Sequence, residues 1–159
     1  MKEILELLEQ DSKYTNKQIA AMLGMEEAAV AAAVEKYMED GTLLGYTALV
    51  DWDRLGPDMV TALIEVKIAP QRGDGFDRIA ERIYQYDEVE SLYLMSGAFD
   101  FAVLITGKSL KDIAQFVFAR LAPIEGVTST ATHFILKKYK EKHHMFRIDP
   151  VQEEGLLFT

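Results

Sequence analysis

Cysteine is absent from this 159-residue sequence, and proline and tryptophan are scarce. Without cysteine the chain can form no disulfide, no thiolate metal site and no cysteine nucleophile. No apolar run approaches the ~18 residues of a membrane span, and the first ten residues lack the apolar core of a signal peptide. These absences predict a soluble, cytoplasmic protein with no membrane partner.

The motifs of common catalytic sites are missing as well. The sequence contains no G-x-S-x-G elbow, no P-loop, no G-x-G-x-x-G and no H-E-x-x-H. Of the three histidines, His133 stands alone, whereas His143 and His144 are adjacent and diverge on any regular element. We therefore predict a protein that is not an enzyme and that holds no metal and no cofactor.

Acidic residues outnumber basic ones, and the excess is greatest near the start of the chain. The net charge is −9, and residues 1–56 carry five basic against eleven acidic side chains, a net of −6. Proteins that bind duplex DNA usually carry a basic surface that displaces counterions from phosphates. This charge distribution therefore argues against a DNA contact in the first third of the chain.

The same part of the chain nevertheless has the pattern of a helix-turn-helix. Apolar residues recur at helical spacing over residues 2–10, and Thr15 with Gln18 forms a capping-box signature for a second helix. Gly24 suits the left-handed residue that ends this helix. An alanine-rich third helix follows at about 26–39, so the pattern predicts three short helices with a tight turn before the third.

A wing and a domain boundary are predicted next. Residues 42–51 are strand-like and are bisected by Gly45, as in a two-stranded wing. Gly56 and Pro57 are the clearest punctuation in the middle of the chain. We therefore expect a winged helix-turn-helix domain at 1–56, a second domain at 57–140 and a tail at 141–159.

The second domain alternates between strand and helix periodicity, in the order β-α-β-β-α-β. That order indicates an α+β fold, a ferredoxin-like sandwich in which two helices cover one face of the sheet. The predicted elements are strands at 60–68, 89–95, 99–106 and 127–139, and helices at about 76–83 and 110–121. The other sheet face must contact water, be covered by the wing or tail, or pair with another subunit.

Four stretches, in order across both domains, resemble the Lrp/AsnC (feast/famine) transcriptional regulators. They are K-Q-I-A to Gly24 in the helix-turn-helix, G-T-L-L-G-Y at 41–46, S-G-A-F-D-F at 96–101 and G-V-T-S-T-A-T at 126–132. The resemblance implies a DNA-binding domain followed by a sensor domain. It also implies homodimers, and higher even-numbered oligomers, that bind an amino acid or related metabolite at a contact between dimers.

Two candidate sites follow from the motifs and this resemblance. The effector site would comprise Gly97, Asp100, Thr130 and Thr132. From the residues alone, turn chemistry favours an ordinary hairpin turn for Gly97 and Asp100, and the two threonines could simply reflect β-propensity. The resemblance implies instead a site in which turn amides and a carboxylate bind the charged groups of an amino acid.

The candidate DNA contacts are few. They are Thr15, Asn16 and Lys17 at the start of the second helix and Lys36, the only basic residue of the third helix. The third helix begins with Glu26 and Glu27, which suit the helix dipole but repel phosphates. The sequence therefore leaves open an alternative, an oligomeric ligand-binding or partner-binding protein of the same fold whose acidic helix-turn-helix no longer binds DNA.

Overall fold

The computed structural model describes residues 1–56, 59–69 and 75–147. The chain divides into two compact units, Met1–Val50 and Asp51–Thr159, which we call the helix-turn-helix unit and the sensor unit. The boundary expected at residue 56 lies six residues beyond this division. None of the helices in the described ranges is long and apolar enough to cross a membrane.

Three helices form the first unit: α1 (Lys2–Gln10), α2 (Asn16–Leu23) and α3 (Glu27–Glu39). The Thr15–Gln18 capping box begins α2, and Gly24 ends it at φ +65°, where a side chain would be strained. Their apolar faces meet in a small core of Ile4, Leu8, Ile19, Ala20, Val30 and Ala33. The predicted helix-turn-helix is therefore present.

The segment that follows α3 differs from the expected wing. Residues 42–51, all of which the structure describes, form no strand. Gly45 has φ +153°, and the neighbouring Leu44 is 92% exposed. A two-stranded wing needs a ladder of hydrogen bonds and an apolar surface to cover. Within the described part of this single chain, the segment has neither, and it is exposed throughout apart from half-buried Leu43 and Asp51.

The sensor unit has the predicted β-α-β-β-α-β order. Its elements are β1 (Val60–Ile68), α4 (Phe76–Tyr84), β2 (Val89–Leu94), β3 (Phe101–Gly107), α5 (Leu110–Phe116), which continues as a π-helical turn over Val117–Leu121, and β4 (Val127–Phe134). The four strands form one antiparallel sheet in the order β2-β3-β1-β4. This is the ferredoxin-like topology expected from the order of elements.

One face of the sheet packs on the two helices. Alternate residues of β1, beginning at Ala62, are buried there, and so are Phe101, Val103 and Ile105 of β3. From the helix side, Ile79 and Ile113 complete the core. The period of two along each strand places the remaining side chains on the opposite face. No described helix covers that face.

The last sheet strand is shorter than the sequence predicted, because it ends at Phe134 rather than Tyr139. The amide of Ile135 still donates to the carbonyl of Thr61, at 2.9 Å. Thr61 is the second residue of β1, so the neighbouring strand offers no partner for the residues that follow. The chain instead turns into a small separate hairpin, β5 (Lys140–Glu141) and β6 (His144–Met145).

Candidate functional site

The start of α2 holds three of the predicted DNA contacts. The Thr15 hydroxyl accepts a hydrogen bond from the Gln18 amide at 3.2 Å, and the Thr15 amide donates to Gln18 Oε1 at 2.9 Å. Both polar groups of Thr15 therefore serve to begin the helix. Asn16 and Lys17 follow in the first turn, where Lys17 is exposed and can reach a phosphate.

The exposed face of α3 carries few groups that recognise DNA. Its solvent-facing residues are Glu27, Ala28, Ala29, Ala32, Glu35, Lys36, Met38 and Glu39. Lys36 is thus the one cation on this helix, and the alanines offer only methyl groups, which can contact thymine methyls. Glu26, at the N-cap position, makes no side-chain capping hydrogen bond. This surface can bind phosphate at one point and discriminates bases weakly.

A further carboxylate lies at the end of α3. Hydrogen bonds from the Thr42 side chain and from the Thr42 amide, the latter at 2.9 Å, hold the pKa of Asp40 below its ordinary value. Because Asp40 is exposed to solvent, its lowered pKa has little influence on the stability of the helix-turn-helix unit. The C-terminal end of the helix therefore also bears negative charge.

The turn between β2 and β3 has a more constrained geometry. Gly97 has φ +129°, and the Met95 amide donates to the Asp100 carbonyl at 2.8 Å. The Asp100 amide donates to the carbonyl of Val66 at 3.0 Å, and Asp100 Oδ2 accepts from the Ile68 amide at 2.8 Å. Asp100 therefore anchors the turn to the end of β1, where the register with β4 shifts between Lys67 and Ile68.

This anchoring leaves groups available for a ligand. Among the described residues, none accepts a hydrogen bond from the amides of Gly97 or Ala98, and both residues are exposed. The half-buried Asp100 carboxylate has a second oxygen that no described residue engages. The turn thus presents amide donors beside a carboxylate, the two kinds of group that bind the carboxylate and ammonium of an amino acid.

The two threonines lie across the central strand from this turn. Thr130 pairs with Val66 and Thr132 with Ile64, so both side chains point toward the helix-covered face, where they are half-buried. Because β1 lies between β3 and β4, the backbones that carry Asp100 and Thr130 are about 10 Å apart. A single chain therefore brings Gly97 and Asp100 together and places the threonines at a distance from them.

A cleft that the sequence did not indicate lies at the opposite end of the sheet. It has a volume of about 360 Å³, and its lining includes Glu88, Asp112 and Arg120. The Asp112 carboxylate already accepts from the Ser109 hydroxyl at 2.8 Å, and the Arg120 guanidinium lies 5.3 Å from the centre of the Tyr86 ring. These charges are therefore partly engaged within the chain.

The histidines contribute no metal centre in the described ranges, where no group of three or more possible ligands comes together. His133 lies 3.5 Å from a carboxylate oxygen of Glu65 on the neighbouring strand. His143 lies in the β5–β6 turn, and His144 is in β6. Both of these side chains are exposed.

Two family models match the chain. The model of the Lrp/AsnC ligand-binding domain matches residues 61–145, and a winged helix-turn-helix DNA-binding model matches residues 1–43. The uncharacterized HTH-type transcriptional regulator YugG of Bacillus subtilis is 46% identical over 145 residues, which is 91% of this chain and 87% of that protein.

Solved structures of similar fold include two from Mycobacterium tuberculosis. The leucine response regulatory protein LrpA is 21% identical with a TM-score of 0.75, covering 90% of this chain and 94% of that one. A feast or famine regulatory protein complexed with L-methionine is also 21% identical, with a TM-score of 0.71 and the same coverage. Nothing in these likenesses supports the alternative of a helix-turn-helix that has lost DNA binding.

Proposed function

This chain belongs to the Lrp/AsnC family of DNA-binding transcriptional regulators, which are not enzymes, and on that premise we propose that an amino acid controls it at the Gly97–Asp100 turn. The observation that carries the proposal is a single anchored turn in which backbone amides that no described residue engages lie beside a half-buried carboxylate. The methionine bound by a structural relative supports the choice of ligand class. The ligand carboxylate would accept from the Gly97 and Ala98 amides, and its ammonium would approach Asp100.

We further propose that the uncovered face of the sheet pairs with a second copy of the chain. This open sheet face carries Tyr93 from β2, Ala102 and Leu104 from β3, Leu63 from β1 and Ala131 from β4, as the strand registers require. Leu63 pairs with Leu104 near the centre of this face, next to Glu65, which pairs with the two alanines and lies 3.5 Å from His133. When this face packs against the same face of a second chain, related to the first by a twofold axis, the two chains form a closed dimer with its apolar residues buried.

Regulation would then work by linkage. Each dimer presents two helix-turn-helix units, and an effector bound where dimers meet would favour one assembly over another. Because the spacing of recognition helices must match that of DNA half-sites, a change of assembly changes affinity for the operator. Within one chain, β1 separates Thr130 and Thr132 from Asp100. In this scheme the two threonines would therefore act at the contact between dimers and not beside the Asp100 of their own chain.

Replacing Asp100 with asparagine separates ligand binding from turn structure. The amide oxygen of asparagine can still accept from Ile68, so the turn persists, whereas attraction for an ammonium is lost. We expect the affinity for the stabilising amino acid to fall by roughly tenfold to a hundredfold, as for a charged hydrogen bond of about 1.5–3 kcal/mol. Thermal-shift titration with the amino acids first identifies the ligand and then measures the change.

The matched control for this experiment is Glu88→Gln, which removes one charge from the cleft at the opposite end of the sheet. We expect it to leave ligand affinity unchanged. If Glu88→Gln weakens binding and Asp100→Asn does not, the effector binds in that cleft instead. If no amino acid or related metabolite raises the melting temperature of the unaltered chain, the proposed sensing function is wrong.

The weakly basic helix-turn-helix makes a quantitative prediction for DNA binding. When Lys17 and Lys36 are each replaced by glutamine, the slope of log affinity against log salt should fall by about 1.8 for each chain that contacts the DNA, because each phosphate contact contributes about 0.9. Gel shift against the region upstream of the chain's own gene, repeated over a salt series, measures that slope. The control pair, Lys108→Gln with Lys111→Gln, removes two exposed charges from the sensor unit and should leave the slope unchanged.

A further inference from the structure

The hairpin at residues 137–147 is the most basic segment of an acidic protein. It contains five basic residues and one acidic residue, a net of +4, whereas the rest of the chain carries −13. The helix-turn-helix unit itself, residues 1–50, has four basic against nine acidic residues, a net of −5. The positive charge of this DNA-binding protein is thus concentrated in the hairpin and not in the helix-turn-helix unit.

The backbone of this segment is ordered into a two-stranded ribbon. Lys140 pairs with Met145 and Glu141 with His144, and the Phe146 amide donates to the Tyr139 carbonyl at 3.0 Å. Lys142 and His143 occupy the turn with φ +45° and +70°. Positive φ at both central residues is the conformation of the tight two-residue turn that matches strand twist. The hairpin therefore fixes the backbone from which Lys140 and Lys142 project.

The cations of the ribbon are not all engaged within the chain. Lys138 lies 3.5 Å from the carboxylate of Glu141, and Lys137 lies 5.2 Å from the centre of the Tyr139 ring. Lys140, Lys142 and Arg147 are exposed, and no described carboxylate is within ion-pair distance of them. Three unneutralised charges close together along one ribbon repel one another and favour an anionic partner.

We propose that the ribbon at 137–147 is a second DNA contact, which binds phosphates through Lys140, Lys142 and Arg147 independently of the helix-turn-helix. A two-stranded β-ribbon has the width of the DNA major groove. The ribbon contains no asparagine or glutamine, and its charges are mostly lysines. It therefore supplies affinity and orientation and adds little sequence recognition. This inference rests on the proposed DNA binding of the chain.

The competing partner is the acidic helix-turn-helix unit of a second copy of the chain. Its net charge of −5 also complements the ribbon. DNA is favoured because duplex DNA carries one charge per about 1.7 Å of its axis and condenses counterions around it. Each lysine that neutralises a phosphate releases a counterion, which contributes to the free energy of binding. A folded acidic unit, whose charges are spread over its surface, gains less from each contact.

The test uses the full chain with Lys140→Gln and Lys142→Asn, since asparagine tolerates the positive φ of residue 142. We expect the salt slope of duplex binding, for specific and unrelated DNA alike, to fall by about 1.8 for each chain whose ribbon contacts the DNA. The pair Lys108→Gln with Lys111→Gln should leave it unchanged. Glu141→Gln, which releases Lys138, should raise the slope by up to about 0.9.

Four outcomes would overturn the proposal. If the unaltered chain binds DNA and the ribbon variant has the same slope, the ribbon is not a DNA contact, while the proposed function stands. If the ribbon and control variants lose slope equally, general charge and not the ribbon is responsible. If the slope is unchanged but the oligomer mass falls, the ribbon contacts a second copy. No duplex binding by the unaltered chain at low salt would overturn this proposal together with the proposed regulation of operator affinity.

Discussion

Replacing Gly126 with alanine is expected to lower the free energy of unfolding of the sensor unit by about 2–5 kcal/mol. Gly126 has φ +96°, where an L side chain is strained by about 1–2 kcal/mol. An added Cβ would lie 2.9 Å from Cδ1 of Ile79, a core residue only 3% exposed. The Ile79 methyl must shift to make room, and because its surroundings are packed, overpacking of this kind costs about 1–3 kcal/mol.

Gly97→Ala is the matched control, because Gly97 also has positive φ but an added Cβ there would meet nothing within 4 Å. Its cost should be the strain alone. Urea unfolding followed by circular dichroism compares the two. Ile79→Val, which removes the clashing methyl, should restore part of the stability in the Gly126→Ala background, so that the double variant is more stable than additivity predicts. Equal costs at Gly126 and Gly97 would show that Ile79 imposes no packing constraint.

The second large effect is expected at the open sheet face. Leu104→Glu should raise the dimer dissociation constant more than a hundredfold, because an unpaired carboxylate buried at the centre of an interface costs about 3–5 kcal/mol. In the single chain Leu104 is only half-buried, so the monomer should tolerate the glutamate and stay folded. Sedimentation equilibrium measures the dissociation constant, and circular dichroism checks the fold.

Ala114→Glu is the matched control, because it adds the same negative charge at an exposed position of α5, away from the open sheet face. It should leave the dimer unchanged. If Leu104→Glu has the mass of the unaltered protein at micromolar concentration, the sheets do not form the interface. If both substitutions dissociate the protein, the effect comes from net charge rather than from this surface.

Local patterns in the sequence determined most of the fold. The alternation of Ala62, Ile64 and Val66 predicted both the strand and its buried face, because a pleated strand has a period of two. The Thr15–Gln18 box and Gly24 predicted the ends of α2, since each acts on backbone groups within a few residues. The ferredoxin-like order followed from the succession of periods along the chain, and the motifs pointed to the family that the comparisons establish.

Other features depended on residues far apart in sequence, and only the tertiary structure decided them. The fourth strand ends at Phe134 because β1 begins at Val60, although the strand-like pattern continues to Tyr139. The wing expected at 42–51 forms no strand, since local propensity cannot supply a pairing partner.

The candidate effector site shows the same division. A glycine and an aspartate three residues apart indicated a turn, but only the sheet shows that Asp100 accepts from Ile68, 32 residues earlier in the chain, and that β1 separates this turn from Thr130. Cysteine is absent from the sequence, which by itself excluded whole classes of chemistry. Which groups the chain leaves available to a ligand was decided by hydrogen bonds between strands, because register is a property of the packed sheet.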